Sequence, residues 1–236
     1  MTVPGSRLGV AAFENQDDGA LQTIYKANSE PLGGAMVNYQ FKNLWDALLG
    51  AQKMHDYRQL FPSDWLKMMQ DFEANMRTSP HQGTKIHLPG SFVSWVNDFR
   101  SPSLKRFGEG EVQIIRDEYL CLSSRVMRRL FKPLVEAIKG YLSDTVLNKP
   151  RLSKIKTMIL VGGLADSPFL QEEIKNVISG RSCVVIPNEA VVVVVRGAVI
   201  FGKRAAAAKK RVVGASYGAD CSRRFVHIHF FRGRIA

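Results

Sequence analysis

The chain has 236 residues, enough for one large domain or two small ones, and its 45% hydrophobic and 23% charged composition is that of a globular protein with a buried core. No segment reaches the roughly 18 uninterrupted apolar residues of a membrane helix. Residues 1–7 lack a signal-peptide pattern, and the three widely spaced cysteines, Cys121, Cys183 and Cys221, argue against a disulfide framework or a zinc site. A reducing cytoplasmic setting is expected, with the nucleus as the alternative, and no membrane partner. The net charge of +12 gathers in the C-terminal third, at Lys203-Arg204, Lys209 to Arg211, Arg223-Arg224 and Arg232 to Arg234. Without a nucleic-acid motif beside it, this charge predicts a solvated basic surface rather than a nucleic-acid site.

Residues 1–20 predict a short strand at most, followed by a turn through the polar run at 14–19. The loop Asn28 to Gly34, rich in turn residues, leads into Val37, Phe41, Leu44, Trp45 and Leu48, spaced for one apolar helix face. Met54, Trp65, Met68, Met69, Phe72 and Met76 continue in a helical pattern. Such a face suits a core, and methionine also suits a binding surface. A β-type stretch from Thr84 to Leu88 follows, glycine and proline punctuate the surrounding loops, and Arg106 to Glu111 predicts an exposed turn. Residues 51–117 are thus expected to form a smaller inserted subdomain.

Leu122, Val126, Leu130, Leu134, Ile138 and Leu142 predict one helix over 118–142, kinked or broken at Pro133. The stretch with the most character comes next. Met158 to Val161 is an apolar strand that breaks at Gly162-Gly163 and restarts as a helix with Ser167 as N-cap and Pro168 in its first turn. Glycines there let a ligand approach bare backbone, and the first helical N–H groups can face a negative or polar atom. An ordinary strand-to-helix turn would look the same.

The helix carries Leu170, Ile174, Val177 and Ile178 and should stop at Gly180. Cys183 to Pro187 predicts a buried strand. Val191 to Val195 favour strand by β-branching, although Asn188 could cap a helix there. The tail from Val212 to Phe231 alternates as a strand would, with His227 and His229 on one face but no further metal-ligand types nearby.

Met158-Ile-Leu-Val-Gly-Gly-Leu-Ala-Asp-Ser-Pro-Phe-Leu-Gln171, then Ile186-Pro-Asn-Glu-Ala190 and Arg196-Gly-Ala-Val-Ile-Phe-Gly202, closely resemble the adenosine-binding end of the seventy-kilodalton heat-shock protein ATPase domain. With Tyr25-Lys26-Ala27 and Pro31-Leu-Gly-Gly34, the resemblance is greatest to the divergent heat shock 70 kDa protein 12 branch. It covers about residues 20–220. It implies an α/β fold, the second lobe of an actin-like (ribonuclease H-like) ATPase, with residues 1–50 and 118–236 as a sheet-bearing base and 51–117 as a helical cap. It also implies a helix, not a strand, at Val191 to Val195.

The cofactor implied is ATP or ADP, with Mg²⁺ arriving only with the nucleotide. Gly162 and Gly163, and opposite them Gly33 and Gly34, match glycines that face the nucleotide. Glu73 and Arg77 match cap residues that grip adenosine, while Met76 replaces a usual Lys. Asp166 stands where conventional chaperones place an adenine-stacking Arg, and Asn188 lies in the matched segment after the next strand. The Asp-x-Gly-Thr loop and the Asp-x-Gly-Gly-Gly-Thr hairpin that hold Mg²⁺ and the β- and γ-phosphates do not occur in this sequence. The expectation is therefore an adenine-nucleotide-binding lobe of a chaperone-like ATPase, not catalytic as this chain alone. Its partners would be the nucleotide and a complementary first lobe or co-chaperone. The alternative is a noncatalytic basic module that binds acidic partners or nucleic acid.

Overall fold

The computed structural model describes residues 7–17, 21–26, 29–78, 83–96 and 110–203. The expectations for Cys221, for the tail strand with His227 and His229, and for the basic clusters from Arg204 onward lie outside the described residues, as does most of the turn at 106–111. The chain divides into two units, Met1–Gly197 and Ala198–Ala236, and of the second only the end of a helix is described.

The first unit is a mixed α/β structure. Strands β1 (Ala11–Asn15) and β2 (Leu21–Lys26) form an antiparallel pair with an irregularity between Ala12 and Phe13. Helix α1 (Gly34–Leu49) follows and buries the predicted face, Val37, Phe41, Leu44, Trp45 and Leu48. The helical pattern of 51–78 is two helices, α2 (Ala51–Leu60) and α3 (Pro62–Thr78), parted at Phe61 because Pro62 lacks an N–H but suits a first turn. Met54, Met68, Phe72 and Met76 are all fully buried, so the methionine face is core.

Strand β3 (Thr84–His87), helix α4 (Gly90–Val96) and strands β4 (Val112–Ile115) and β5 (Tyr119–Leu122) come next. The three strands make an antiparallel sheet in the order β3-β5-β4. Here two expectations fail. Leu122 ends a strand instead of opening the helix: α5 starts at Ser124, capped by the Ser123 hydroxyl, which accepts from the Val126 N–H. Glu111 is not an exposed turn residue. It is only 8% accessible, held by Arg125 at 2.9 Å and Arg129 at 3.2 Å from the first turns of α5.

Helix α5 (Ser124–Leu142) runs through Pro133 as one helix, with no break there, and passes into a π-helical turn at Ser143–Leu147. It buries eight apolar side chains, and that burial outweighs the lost backbone hydrogen bond. Strand β6 (Thr157–Ile159) leads to helix α6 (Pro168–Ile178), with Ser167 at the N-cap and Pro168 at the first position as predicted. Gly180 follows its end at φ +78°, the left-handed conformation expected of a stop residue.

Strand β7 (Cys183–Val185) pairs in parallel with β6. It is a strand but not a buried one, because among the described residues this sheet has two strands and one of its faces is bare: Cys183 and Val185 are both exposed. Helix α7 (Ala190–Lys203) contains the valine run, so the family-based expectation holds and local propensity loses.

The core is one cluster that joins α1 through α6. Its aromatic centre stacks Phe41 on Phe72, with centroids 4.0 Å apart, and sets Phe92 edge-on to Trp45 and Tyr57 at 4.8 and 4.9 Å. At its margin Lys42 and Arg58 reach Asp46 at 2.7 and 2.9 Å, tying α1 to α2. Burial pushes the Asp46 carboxyl up, but hydrogen bonds and charge from Lys42 and Arg58 outweigh it and hold the pKa below its ordinary value of 3.8. The unfolded chain therefore takes up this proton first as pH falls. The stabilisation is complete above the ordinary value and is lost as pH drops through it toward the lowered one. Asp46→Asn should flatten stability against pH below about pH 4 in acid titrations followed by circular dichroism. An acid limb as steep as that of the unmodified chain would contradict the assignment.

Candidate functional site

Two separate groups of side chains and turns contain the predicted site residues. The first lies at the start of α1. Gly33 is the N-cap in extended conformation, with no side-chain cap, and its carbonyl accepts from the Met36 N–H at 3.0 Å. Gly34 is buried, and a Cβ there would sit 3.3 Å from the terminal methyl of Met76. The Met that replaces the expected Lys thus packs α3 against the glycine that opens α1.

Glu73, one turn earlier on α3, accepts a hydrogen bond from the Asn38 amide of α1. Asn38 went unnoticed in the sequence. Its signal is an amide one turn after Gly34, next to the apolar face of an otherwise core-facing helix. Arg77 lies on the last turn of α3, and its side chain is outside what is described.

The second group lies at the C-terminal ends of β6 and β7. Because these strands are parallel, the turns that follow both open on the same edge of the sheet. In open parallel sheets this edge is where ligands bind. Gly162 takes φ +115°, a conformation that favours glycine, and among the described residues no atom beyond its chain neighbours lies within 4 Å of where its Cβ would be. Its N–H donates to the Ala190 carbonyl at 3.0 Å, which ties the turn after β6 to the first residue of α7. Tight turns follow, Ala165 N–H to Gly162 carbonyl and Ser167 N–H to Leu164 carbonyl, both at 3.0 Å, and they carry Gly163 and Asp166 round to the head of α6.

Asp166 and Asn188 are both exposed and line one open cleft of about 460 Å³, together with Gln171, Lys175 and Glu189. Gly162 and Gly163 do not line it. Gln171 holds the turn, its amide donating to the Ala165 carbonyl at 2.7 Å. Glu189, at φ +58°, is paired with Arg196. That leaves Asp166 and Lys175 as opposed charges around polar neighbours. Such a lining suits hydroxyl and ring-nitrogen recognition better than a run of phosphates, which would need several cations or bare helical amides. Ser167 caps α6 by position only: its hydroxyl is fully buried and makes no hydrogen bond among the described residues.

Gln171, Lys175 and Glu189 were not singled out in the sequence. Gln171 and Lys175 are spaced i, i+4 on the polar side of α6, a pattern shared by any surface helix. Among the described residues no group of three potential metal ligands comes together, and no helix is long and apolar enough to cross a membrane.

No protein-family model matches this chain. Among curated proteins it is 30% identical over 216 residues to heat shock 70 kDa protein 12A of Mus musculus and of Homo sapiens, and 29% identical over 219 residues to heat shock 70 kDa protein 12B of Homo sapiens. Each match covers 89% of this chain but only 32% of the relative, so the chain spans about a third of the length of these relatives.

Proposed function

We propose, from the relationship of this chain to the heat shock 70 kDa protein 12 proteins, that it is the adenine-nucleotide-binding second lobe of a chaperone-like, actin-like ATPase. The observation that carries this reading is the shared edge of β6 and β7. Two strand-to-helix turns, one with an open-faced Gly162 and one with Asn188, meet there beside a polar cleft.

The residues present fit the adenosine end of a nucleotide. Gly162 and Gly163 would admit the sugar and α-phosphate to bare backbone, Asp166 and Asn188 would take polar edges of the base, and Glu73, oriented by Asn38, would take ribose hydroxyls with Arg77 beside it. Gly33 and Gly34 would face the nucleotide from the start of α1. Residues 51–117 form the cap in this reading, and residues 1–50 and 118–236 the base. Bound nucleotide would bring Mg²⁺ with it. Because the sequence contains neither phosphate loop, this chain alone binds without hydrolysing, and a complementary first lobe would be needed for turnover.

Titrating ADP with Mg²⁺ into the chain, followed by amide NMR shifts, tests this. Weak binding is expected, with Kd on the order of 0.1–1 mM, shifts at Gly162, Asp166 and Asn188, and no phosphate release from ATP. Gly162→Val should weaken binding about tenfold by filling the open face. Shifts confined to other residues would remove the site assignment. Submicromolar affinity with steady phosphate release would remove the single-lobe reading.

A further inference from the structure

Residues 145–165 contain no Asp or Glu but four cations, Lys149, Arg151, Lys154 and Lys156. All four are exposed, and so is Arg181. Other exposed cations, Lys67, Arg125, Arg129 and Arg196, pair with Asp64, Glu111 and Glu189. Among the described residues none of these five has a carboxylate partner.

Folding gathers the five at one end of the β6–β7 sheet. The chain reaches β6 through a single 3₁₀ turn, Pro150–Leu152, anchored by the buried Leu152 side chain. The N–H groups of Leu152, Ser153 and Ile155 donate to the carbonyls of Lys149, Pro150 and Leu152 at 2.9, 3.1 and 3.2 Å and hold the loop wound. The residues before β7 lie along it. The Arg181 guanidinium donates to the Leu147 carbonyl at 2.6 Å, the Ser182 hydroxyl to the Ile155 carbonyl at 2.7 Å, and the Cys183 N–H to the Lys156 carbonyl at 2.8 Å. The cations thus stand on a fixed mount where two parallel strands begin, at the opposite end of the sheet from Asp166 and Asn188.

Like charges held together repel one another, and a multivalent anion relieves that cost. No aromatic residue lies between Tyr141 and Phe169, so nucleic-acid bases would find no stacking platform. The sequence from Arg204 onward is itself basic, with Asp220 as its one acidic side chain, and does not complement the cluster. Three of the five cations are lysines, compact point charges that impose no fork geometry on a partner. Beside them the sheet exposes Ile159 and Val185, 63% and 42% accessible. Cations next to bare aliphatic side chains match the layers of an anionic bilayer, charged headgroups above an acyl boundary.

We propose that this end of the sheet is a contact surface for an anionic lipid bilayer. Lys149, Arg151, Lys154, Lys156 and Arg181 lie among the headgroup phosphates and carboxylates, and Ile159 and Val185 reach the acyl boundary. Contact of this kind needs no spanning helix. It leaves the cleft at Asp166 and Asn188 on the far end of the sheet, and it stands whether or not that cleft binds nucleotide.

Cosedimentation of the full chain with vesicles tests this, using phosphatidylcholine alone and phosphatidylcholine with about 30% phosphatidylserine. Binding to the anionic vesicles only is expected, weakening as salt is raised. A variant combining Lys149→Gln, Arg151→Gln, Lys154→Gln and Lys156→Gln should lose at least tenfold. A second variant with the same change in charge, Lys209→Gln, Lys210→Gln, Arg211→Gln and Arg223→Gln, should lose less. In the unmodified chain, spin-labelled headgroups in bicelles of the same lipids should broaden amide signals at 151–157 and 181–183 and spare Asp166 and Asn188. A smaller loss in the first variant, or an equal loss in the second, overturns the surface in favour of net charge alone. Equal binding to both vesicles, binding to neither, or broadening centred on other residues overturns it too. So does poly-glutamate that competes, charge for charge, as well as the anionic vesicles do, since an acidic polypeptide would then be the better fit.

Discussion

Phe72→Ala is expected to lower stability by about 3–5 kcal/mol, the cost of an emptied aromatic site in a close-packed core. The ring is fully buried and lies flat on Phe41, with an interplanar angle of 7°, so its removal takes away transfer energy, a stacked partner and the seam between α1 and α3 at once. Urea unfolding measures it directly. Leu66→Ala on the same helix, where the side chain is 55% exposed, should change stability by less than about 1 kcal/mol. Equal losses for the two variants would show that the core does not close on this face of α3. Glu73 is the next residue, so Phe72→Ala should also loosen the Asn38–Glu73 contact and weaken any nucleotide signal that depends on it.

Gly83→Ala should cost about 3 kcal/mol, although only a methyl group is added. Gly83 leads into β3 at φ +79°, and a Cβ there would lie 2.5 Å from the Leu122 carbonyl oxygen and 3.4 Å from the Ser123 Cα, both backbone atoms that cannot rotate away. The same substitution at Gly140 has the opposite sign. That residue is inside α5 with open space at its Cβ position, so Gly140→Ala should be neutral or stabilising by up to about 1 kcal/mol. Thermal melts of the two variants check the pair together, and parallel shifts would contradict the local argument.

Helices with one apolar side were legible in the sequence because burial alone dictates their spacing. Val37, Phe41, Leu44, Trp45 and Leu48 needed no other information, and neither did the Ser167-Pro168 start and the Gly180 stop of α6. Errors came where a residue's neighbour is remote in sequence. Leu122 continues the apolar period of α5 but pairs with Thr84 and Val112, so the sheet takes it. Glu111 looked solvent-facing among glycines until α5 brought Arg125 and Arg129 to it.

Cys183 to Val185 look like a core strand by composition, yet the two-stranded sheet leaves one face bare. The glycine turns of the candidate site could be located, but not the parallel pairing that turns the loops after β6 and β7 toward the same edge. Nor could Asn38, whose importance lies in reaching a residue 35 positions away.

Helix α7 has one further implication. Val192, Val194 and Val195 are held helical although their branching favours extended backbone, and all three are exposed. The segment is short, uncharged from 190 to 195 and free of proline, the composition of sequences that stack into fibrils once their native fold opens. Its N-terminal end is held by the Glu189 turn, the hydrogen bond from the Gly162 N–H to the Ala190 carbonyl and the exposed Glu189–Arg196 pair. Loss of those anchors is therefore expected to favour an extended, aggregation-prone run beside the candidate cleft.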